Sequence, residues 1–345
     1  MPSQSNPRPR RAFRCGTALV LAVCALGGLL TSCGSGASVT IYSGRSEDLV
    51  MPILERFAEE TGISVDVRWG DSAELALQVT EEGDATPADV FLSQSPGALG
   101  LLDEEGLLAE LPTETLDLVE EQNRASDGSW VGVSGRKRVL VYNRDLVDEA
   151  DLPESVLDLT DPAYRGMVAV APENASFQDF VTGMRTVMGD DETLAWLEGM
   201  AANDVQTEAN NNAIVEAVSR GEIPMGLVNH YYNYRFLEED PSLPSVNYDF
   251  SPDDIGSMMI VTGAAVIEGH DTPEAQQLVE FLLADEAQEF FTNETFEYPL
   301  AIGSEPADML PPLEEGFTLD TIDLDELGGD LETTVELIEQ SGING

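Results

Sequence analysis

Apolar positions along this chain switch repeatedly between the two-residue period of a strand and the 3.6-residue period of a helix. Val39-Thr40-Ile41-Tyr42 predicts a strand, after which Leu49, Ile53, Leu54 and Phe57 recur at helical spacing until Gly62 stops the turn. Ile63, Val65, Val67 and Trp69 alternate as a second strand, Asp71 or Ser72 suits the cap of a helix carrying Leu75, Ala76 and Val79, and residues 88–92 supply a third strand. This βαβαβ order favours an α/β fold with a mainly parallel sheet. Further strands are predicted at 130–133, 139–142, 167–171, 225–228 and 258–266, and helices at 177–188, 192–200, 213–219, 273–284 and 331–340. No internal repeat is visible, and the tail beyond Gly303 is acidic and contains proline.

The amino terminus changes the picture of where the chain works. Arg8, Arg10, Arg11 and Arg14 precede an apolar segment, 17–30, too short to cross a bilayer comfortably but suited to a secretory signal. It ends in Leu30-Thr31-Ser32-Cys33, which resembles a bacterial lipobox. The expectation is a signal peptide over 1–32 and a lipidated Cys33 that anchors the mature protein to the cell membrane on its extracytoplasmic side. Arg10-Arg11-Ala12-Phe13 resembles part of a twin-arginine signal, so that route and an ordinary basic leader both stay open. Cys15 and Cys24 lie in the segment to be removed, so no thiol remains for disulfides, thiolate zinc sites or cysteine catalysis.

About 310 residues follow the leader, enough for two domains or one large α/β unit. Asp and Glu total 65 against 16 Lys plus Arg, a formal charge of −49, which excludes nucleic acid as a partner by repulsion. An acid-surface adaptation accounts for this balance more simply than a diffuse role in collecting cations. With only two histidines, His230 and His270, histidine-rich metal sites and Ser-His-Asp constellations are poorly supplied. No nucleophile elbow or metalloprotease helix motif is present, and acidic pairs such as Asp253-Asp254 are what this composition yields anyway, so no enzyme is expected.

Asn229-His230-Tyr231-Tyr232 carries the most specific chemistry, placed at the end of the buried strand predicted from the apolar run 224–228. Paired phenolates are compact anionic oxygen donors, and a hard trivalent ion such as Fe(III) displaces their protons although free tyrosine titrates near pH ~10. The plainer alternative is half-buried packing with wet hydroxyls. Strand alternation would turn His230 away from Tyr231 and give it a structural role.

Six segments in register resemble the extracytoplasmic ferric-iron-binding proteins of ABC importers, within the type II periplasmic binding protein fold. They are IYSGRSEDLVMPILERFAEETGI, GDSAELALQVTEEGDATPADVFLSQSPGALGLL, WVGVSGRKRVLVYN, NASFQDFVTGMR, NNNAIVEAVSRGEIPMGLVNHYYNYR and GSMMIVTGAAV, between about Ser38 and Tyr298. The resemblance implies two α/β lobes, 38–135 with 262–312 and 136–261 with 313–345, joined by hinge strands around an interlobe cleft. It further implies a monomer that captures ferric iron, free or as a chelate, and releases it to a membrane permease.

By the same resemblance the family's paired phenolates fall on Tyr231 and Tyr232. The position of a histidine ligand in other members is Ser46, and that of a carboxylate is Gln94, so both are missing here. Two phenolates do not complete six-coordinate iron, and the remaining donors are expected from water, a synergistic carbonate or phosphate, or a chelator. The resemblance places the anion at Asn174, Ala175 and Ser176 before one helix, Asn211 at another and Asn229 before the tyrosines, although Asn174, Ser176 and Asn211 also suit N-caps. Arg45 and Arg136, expected in loops facing the cleft, are candidates for a bidentate grip on carbonate or, alternatively, for pairing with carboxylates. Arg138 is expected to belong to the strand. Tyr42 and Tyr234 fit packing better than metal ligation. A rival cargo for the same fold is an organic anion, phosphonate or sugar held by Arg45, Arg136 and the asparagines.

Overall fold

A computed structural model of the chain describes residues 36–313 and 331–344. The leader 1–32, Cys33 and the tail segment 314–330 lie outside the described residues.

The first third follows the sequence pattern closely. Strand β1 (Ser38–Ser43), helix α1 (Glu47–Thr61), strand β2 (Ser64–Trp69), helix α2 (Ser72–Glu82) and strand β3 (Val90–Ser93) succeed one another as two parallel crossovers. The stripe Leu49, Val50, Ile53, Leu54 and Phe57 buries one face of α1 against the sheet, each side chain stabilising by about 1.5–3 kcal/mol. Gly62 ends that helix at φ 72°, a left-handed conformation that glycine adopts without a Cβ clash. Asp71 caps α2, accepting from the amides of Ala73 at 2.9 Å and Glu74 at 3.4 Å.

Helices α3 (Pro96–Glu104) and α4 (Thr113–Leu116) lead to β4 (Val131–Asn143). The two strands predicted at 130–133 and 139–142 are one strand of 13 residues. Its charged centre, Arg136-Lys137-Arg138, breaks the apolar pattern, but backbone pairing continues through it. Strand β5 (Val168–Val170), helices α5 (Ala175–Met188) and α6 (Asp190–Ala202), strand β6 (Gln206–Thr207), helix α7 (Asn211–Ser219) and strand β7 (Met225–Asn229) follow. Then come α8 (His230–Glu239), β8 (Ser245–Tyr248), β9 (Met259–Val266), α9 (Pro273–Leu282), α10 (Asp285–Glu294), β10 (Tyr298–Pro299) and α11 (Leu331–Ser341).

The strands run in the order β2-β1-β3-β9-β4-β7-β5-β6, with β8 and β10 also paired to β4. Residues Val131 to Lys137 of β4 pair antiparallel with β9, with a register shift between Gly132 and Ser134. From Arg138 onward the same strand pairs with β7 and β8 instead. β4 therefore belongs to two strand groups and changes partners at its charged centre. On the second group, Val139, Val141, Ala169, Ile214, Val215, Val218 and Val228 form a small core of their own beneath α7. Helix α11 returns to this side and is fixed to α5, where Thr334 Oγ1 lies 2.8 Å from Thr182 Oγ1 and accepts from Arg185 Nη1 at 2.9 Å.

Candidate metal and anion site

Strand β7 passes into α8 with no intervening loop. Asn229 holds the N-cap position but does not cap, because its Oδ1 accepts from Arg138 Nη1 at 3.3 Å. Tyr231 and Tyr232 are thus in the first turn of a helix, not at a strand end, and their rings stack with centroids 4.1 Å apart. Tyr231 is 1% exposed and Tyr232 half-buried.

His230 opens the helix, so strand alternation does not explain where it points. Its Nδ1 accepts from the Lys137 amide at 3.0 Å and its ring stacks on Tyr298 at 4.8 Å. Burial pushes its pKa down to about 3, which keeps it neutral. His230 is thus packed between β4 and Tyr298 by a geometry other than the strand alternation the sequence suggested.

Three buried arginines share the neighbourhood of the tyrosines. Arg45, in the loop between β1 and α1, forms an ion pair with Glu297, and Ser134 donates to the same carboxylate. Arg136 lies within β4, not in a loop, and its Nη2 donates to the carbonyl of Gln94. Arg138 follows two residues later on the same face of the strand, as the two-residue period dictates, while Lys137 turns away to Asp249 at 2.9 Å. Arg138 Nη2 donates to Leu227 O at 3.2 Å, and its guanidinium lies 5.4 Å from the ring of Phe180 and 5.7 Å from that of Phe177 on α5.

The electrostatics tie these groups together. Burial pushes the Tyr231 phenol well above its ordinary range and Tyr232 adds to this, while Arg45 and Arg136 oppose it. Burial works against the charge of Arg45, but Glu297 and the two tyrosines outweigh it and leave its pKa raised. Arg136 is lowered by burial and by Arg45, and Arg138 is lowered to about 9 by burial despite Tyr232 and Asp179. Burial raises Asp179, on α5, to about 6 against the pull of Arg136.

Buried hydrogen-bonding atoms without a protein partner concentrate here: Arg45 Nε and Nη1, Arg136 Nε, Arg138 Nε, Asn229 Nδ2, Asp179 Oδ2 and Asn211 Oδ1. Such atoms are destabilising by about 1–3 kcal/mol each unless water or a ligand completes them. Five of the seven are N–H donors, the complement of an anion.

Asn174, Ser176 and Asn211 form a second cluster joining the starts of α5 and α7. Asn174 caps α5, its Oδ1 accepting from Ser176 N at 3.1 Å, Ser176 Oγ at 2.6 Å and Asn211 Nδ2 at 3.1 Å. Asn211 Nδ2 also reaches Ser176 Oγ at 3.0 Å. Ala175 is the first residue of α5. Asn210, not Asn211, caps α7, accepting from Ala213 N at 3.0 Å. Ser46 is exposed at the start of α1, and Gln94 enters the site through its backbone.

Sequence reasoning placed Arg138 in the strand, where it lies, but not beside the tyrosines, and it singled out neither Asp179 nor Glu297. The spacing of Arg136 and Arg138 carried a signal for the first, and nothing marked the other two among so many carboxylates. Among the described residues no group of three or more His, Cys, Asp and Glu is arranged to hold a metal ion.

Two strand groups sharing β4, with buried charge gathered where that strand changes partners, define a two-lobed periplasmic binding protein. The profile of bacterial extracellular solute-binding proteins matches residues 85–328. The chain is 33% identical over 311 residues to the Fe(3+)-binding periplasmic protein of Serratia marcescens, covering 88% of this chain and 90% of that protein. It is 31% identical to iron uptake protein A1 of Synechocystis sp., covering 91% and 93%. The crystal structure of iron-bound HitA from Pseudomonas aeruginosa matches with a TM-score of 0.83 at 36% identity, covering 89% of this chain and 99% of that one. This chain belongs to the bacterial extracellular solute-binding protein family.

Proposed function

We propose that this protein captures ferric iron outside the cytoplasm, with Tyr231 and Tyr232 as its protein ligands, and delivers it to an ABC permease. The single observation that carries this reading is the stacked tyrosine pair beside three buried arginines, each with an Nε–H that lacks a partner. The relatives named for ferric iron binding support the choice of cargo. The protein acts as a carrier, with no catalytic step. In the mature form Cys33 bears the lipid that keeps it, as a monomer, at the membrane near the permease.

Charge balance selects the partner of the metal. With the phenols neutral, Arg45, Arg136 and Arg138 exceed Glu297 and Asp179 by one positive charge. Two phenolates and Fe(III) together add one more, so the filled site carries about two positive charges before an anion binds. A dianion, carbonate or hydrogen phosphate, neutralises it and accepts from the unpartnered guanidinium N–H groups. Arg45, Arg136, Asn229 and the cluster of Asn174, Ala175, Ser176 and Asn211 are assigned to that anion. Arg45 and Arg136 also lower the cost of ionising Tyr231, and Fe(III) completes the deprotonation.

The lobes are 38–135 with 262–312 and 136–261 with 313–345, and they close over the metal. Closure is driven only by the difference in affinity between open and closed forms, and contact with the permease or loss of the anion favours opening.

Adding Fe(III) with bicarbonate or phosphate to the mature protein is expected to give a visible phenolate-to-iron charge-transfer band. The band should vanish when both tyrosines are changed to phenylalanine. Absence of the band with every iron source, free or chelated, refutes the assignment. Saturable binding of an organic anion, phosphonate or sugar without iron would transfer the site to that cargo.

A further inference from the structure

Helix α8 has a second working face. Asn233, Tyr234 and Leu237 recur at helical spacing with His230, turned away from Tyr232, and line a cavity of about 670 Å³. Its other walls include Asn247 of β8 and Phe296, between α10 and β10. This volume is within the range of small-molecule sites.

Three observations mark it as built for an occupant. Asn233 is 1% exposed, yet neither atom of its carboxamide has a protein partner. Asn247 Nδ2 donates to His230 O at 2.9 Å, but its Oδ1 is buried and unpartnered. Phe296, its ring 6.2 Å from that of Tyr234, holds the left-handed φ of 59° that a bulky residue adopts only when its surroundings enforce it. Buried amides without partners are rare in folded proteins.

The inventory of free groups defines the ligand. Two carbonyl-type oxygens seek donors and one amide seeks an acceptor, a mixture that hydroxyl groups satisfy because each both donates and accepts. Tyr234 and Phe296 offer ring faces to C–H surface. The charged side chains among the lining residues, Arg144 and Glu238, are both exposed and opposite in sign, so they select no net charge.

We propose that this cavity, walled by Asn233, Tyr234, Asn247 and Phe296, is a second ligand site for a small neutral polyhydroxylated molecule, a polyol or sugar. The site is separate from the tyrosine pair and stands independently of the iron reading.

The test uses the iron-free mature protein with glycerol, inositol, glucose and trehalose as probes, followed by titration calorimetry and ligand-observed NMR. At least one probe is expected to bind saturably at one site. Asn233→Leu should weaken it by roughly tenfold or more, and should raise the thermal midpoint, because it removes the unsatisfied amide without leaving a void. Asn247→Ser should weaken the same probe severalfold. The charge-transfer band given by iron should be unchanged in both variants, so a failure here is distinguishable from a failure of the iron assignment. No saturable binding by any of the four probes overturns the proposal, meaning that water alone satisfies the amides. Binding that survives both substitutions overturns it equally, since the probe then sits elsewhere.

Discussion

Removing Glu297 tests the charge arrangement at its most buried point. The residue is fully enclosed, its partner Arg45 is 2% exposed, and Ser134 donates to the same carboxylate. Glu297→Ala leaves a guanidinium buried without its counter-charge and Ser134 without its acceptor. Breaking a buried ion pair on one side typically costs about 3–5 kcal/mol, since the remaining charge keeps its desolvation penalty and loses its compensation. For a chain of this size that corresponds to a fall of roughly 5–8 °C in the thermal midpoint. Arg45→Met alone should cost a comparable amount, because a carboxylate is then stranded. The double variant Arg45→Met/Glu297→Leu should recover most of the loss, as an apolar pair of similar volume removes both penalties together. With Glu297→Leu as the matching single variant, denaturation of the iron-free parent, Arg45→Met, Glu297→Leu and the double variant, followed by circular dichroism, supplies the coupling energy. Additive single losses with no recovery in the double variant, or a Glu297→Ala protein within about 1 kcal/mol of the parent, would refute the account of this ion pair.

Asp179→Asn should stabilise the iron-free protein at pH 8 by up to about 3 kcal/mol. The folded-state pKa of Asp179 is raised from 3.8 to about 6, so the native state resists its ionisation, and the advantage of asparagine should fade between pH 6 and 4 in urea titrations. Gly44→Ala should destabilise by roughly 1–3 kcal/mol, since its Cβ would fall 1.8 Å from Ser72 Oγ and 2.9 Å from Ser72 Cα, where only a backbone shift makes room; thermal melts check this. Asn211→Ala leaves the Asn174 and Asn210 caps in place, so it should raise the carbonate needed for half-maximal development of the iron band while leaving the melting curve near that of the parent.

The elements from β1 to β3 were legible because apolar period, caps and the stop at Gly62 all agree within short stretches of chain. β4 was read as two strands because three consecutive cations occupy its middle, and the pairing that holds them in a strand comes from β9 and β7, more than 80 residues away. Helix α8 was not foreseen, and the tyrosines were read as a strand end, for a local reason: β7 runs directly into the helix, and Asn229 gives its side chain to Arg138 instead of to a cap. The tyrosine pair and the asparagine cluster were visible as residue types in a recognisable order. Glu297 was not, since its pairing with Arg45 spans 252 positions and no local pattern separates it from the chain's other acidic residues.

Arg136 and Arg138 flank the point at which β4 exchanges one set of neighbours for another. Were the proposed lobes to rotate about that point, atoms would be displaced in proportion to their distance from it, and the guanidiniums would sit near the fulcrum. Arg235 and Asp48, joined at 2.7 Å, belong to opposite lobes of the proposed pair. If the proposed lobes swing apart, this contact must break, and so must the bond from Arg136 to the carbonyl of Gln94, which joins the same two lobes.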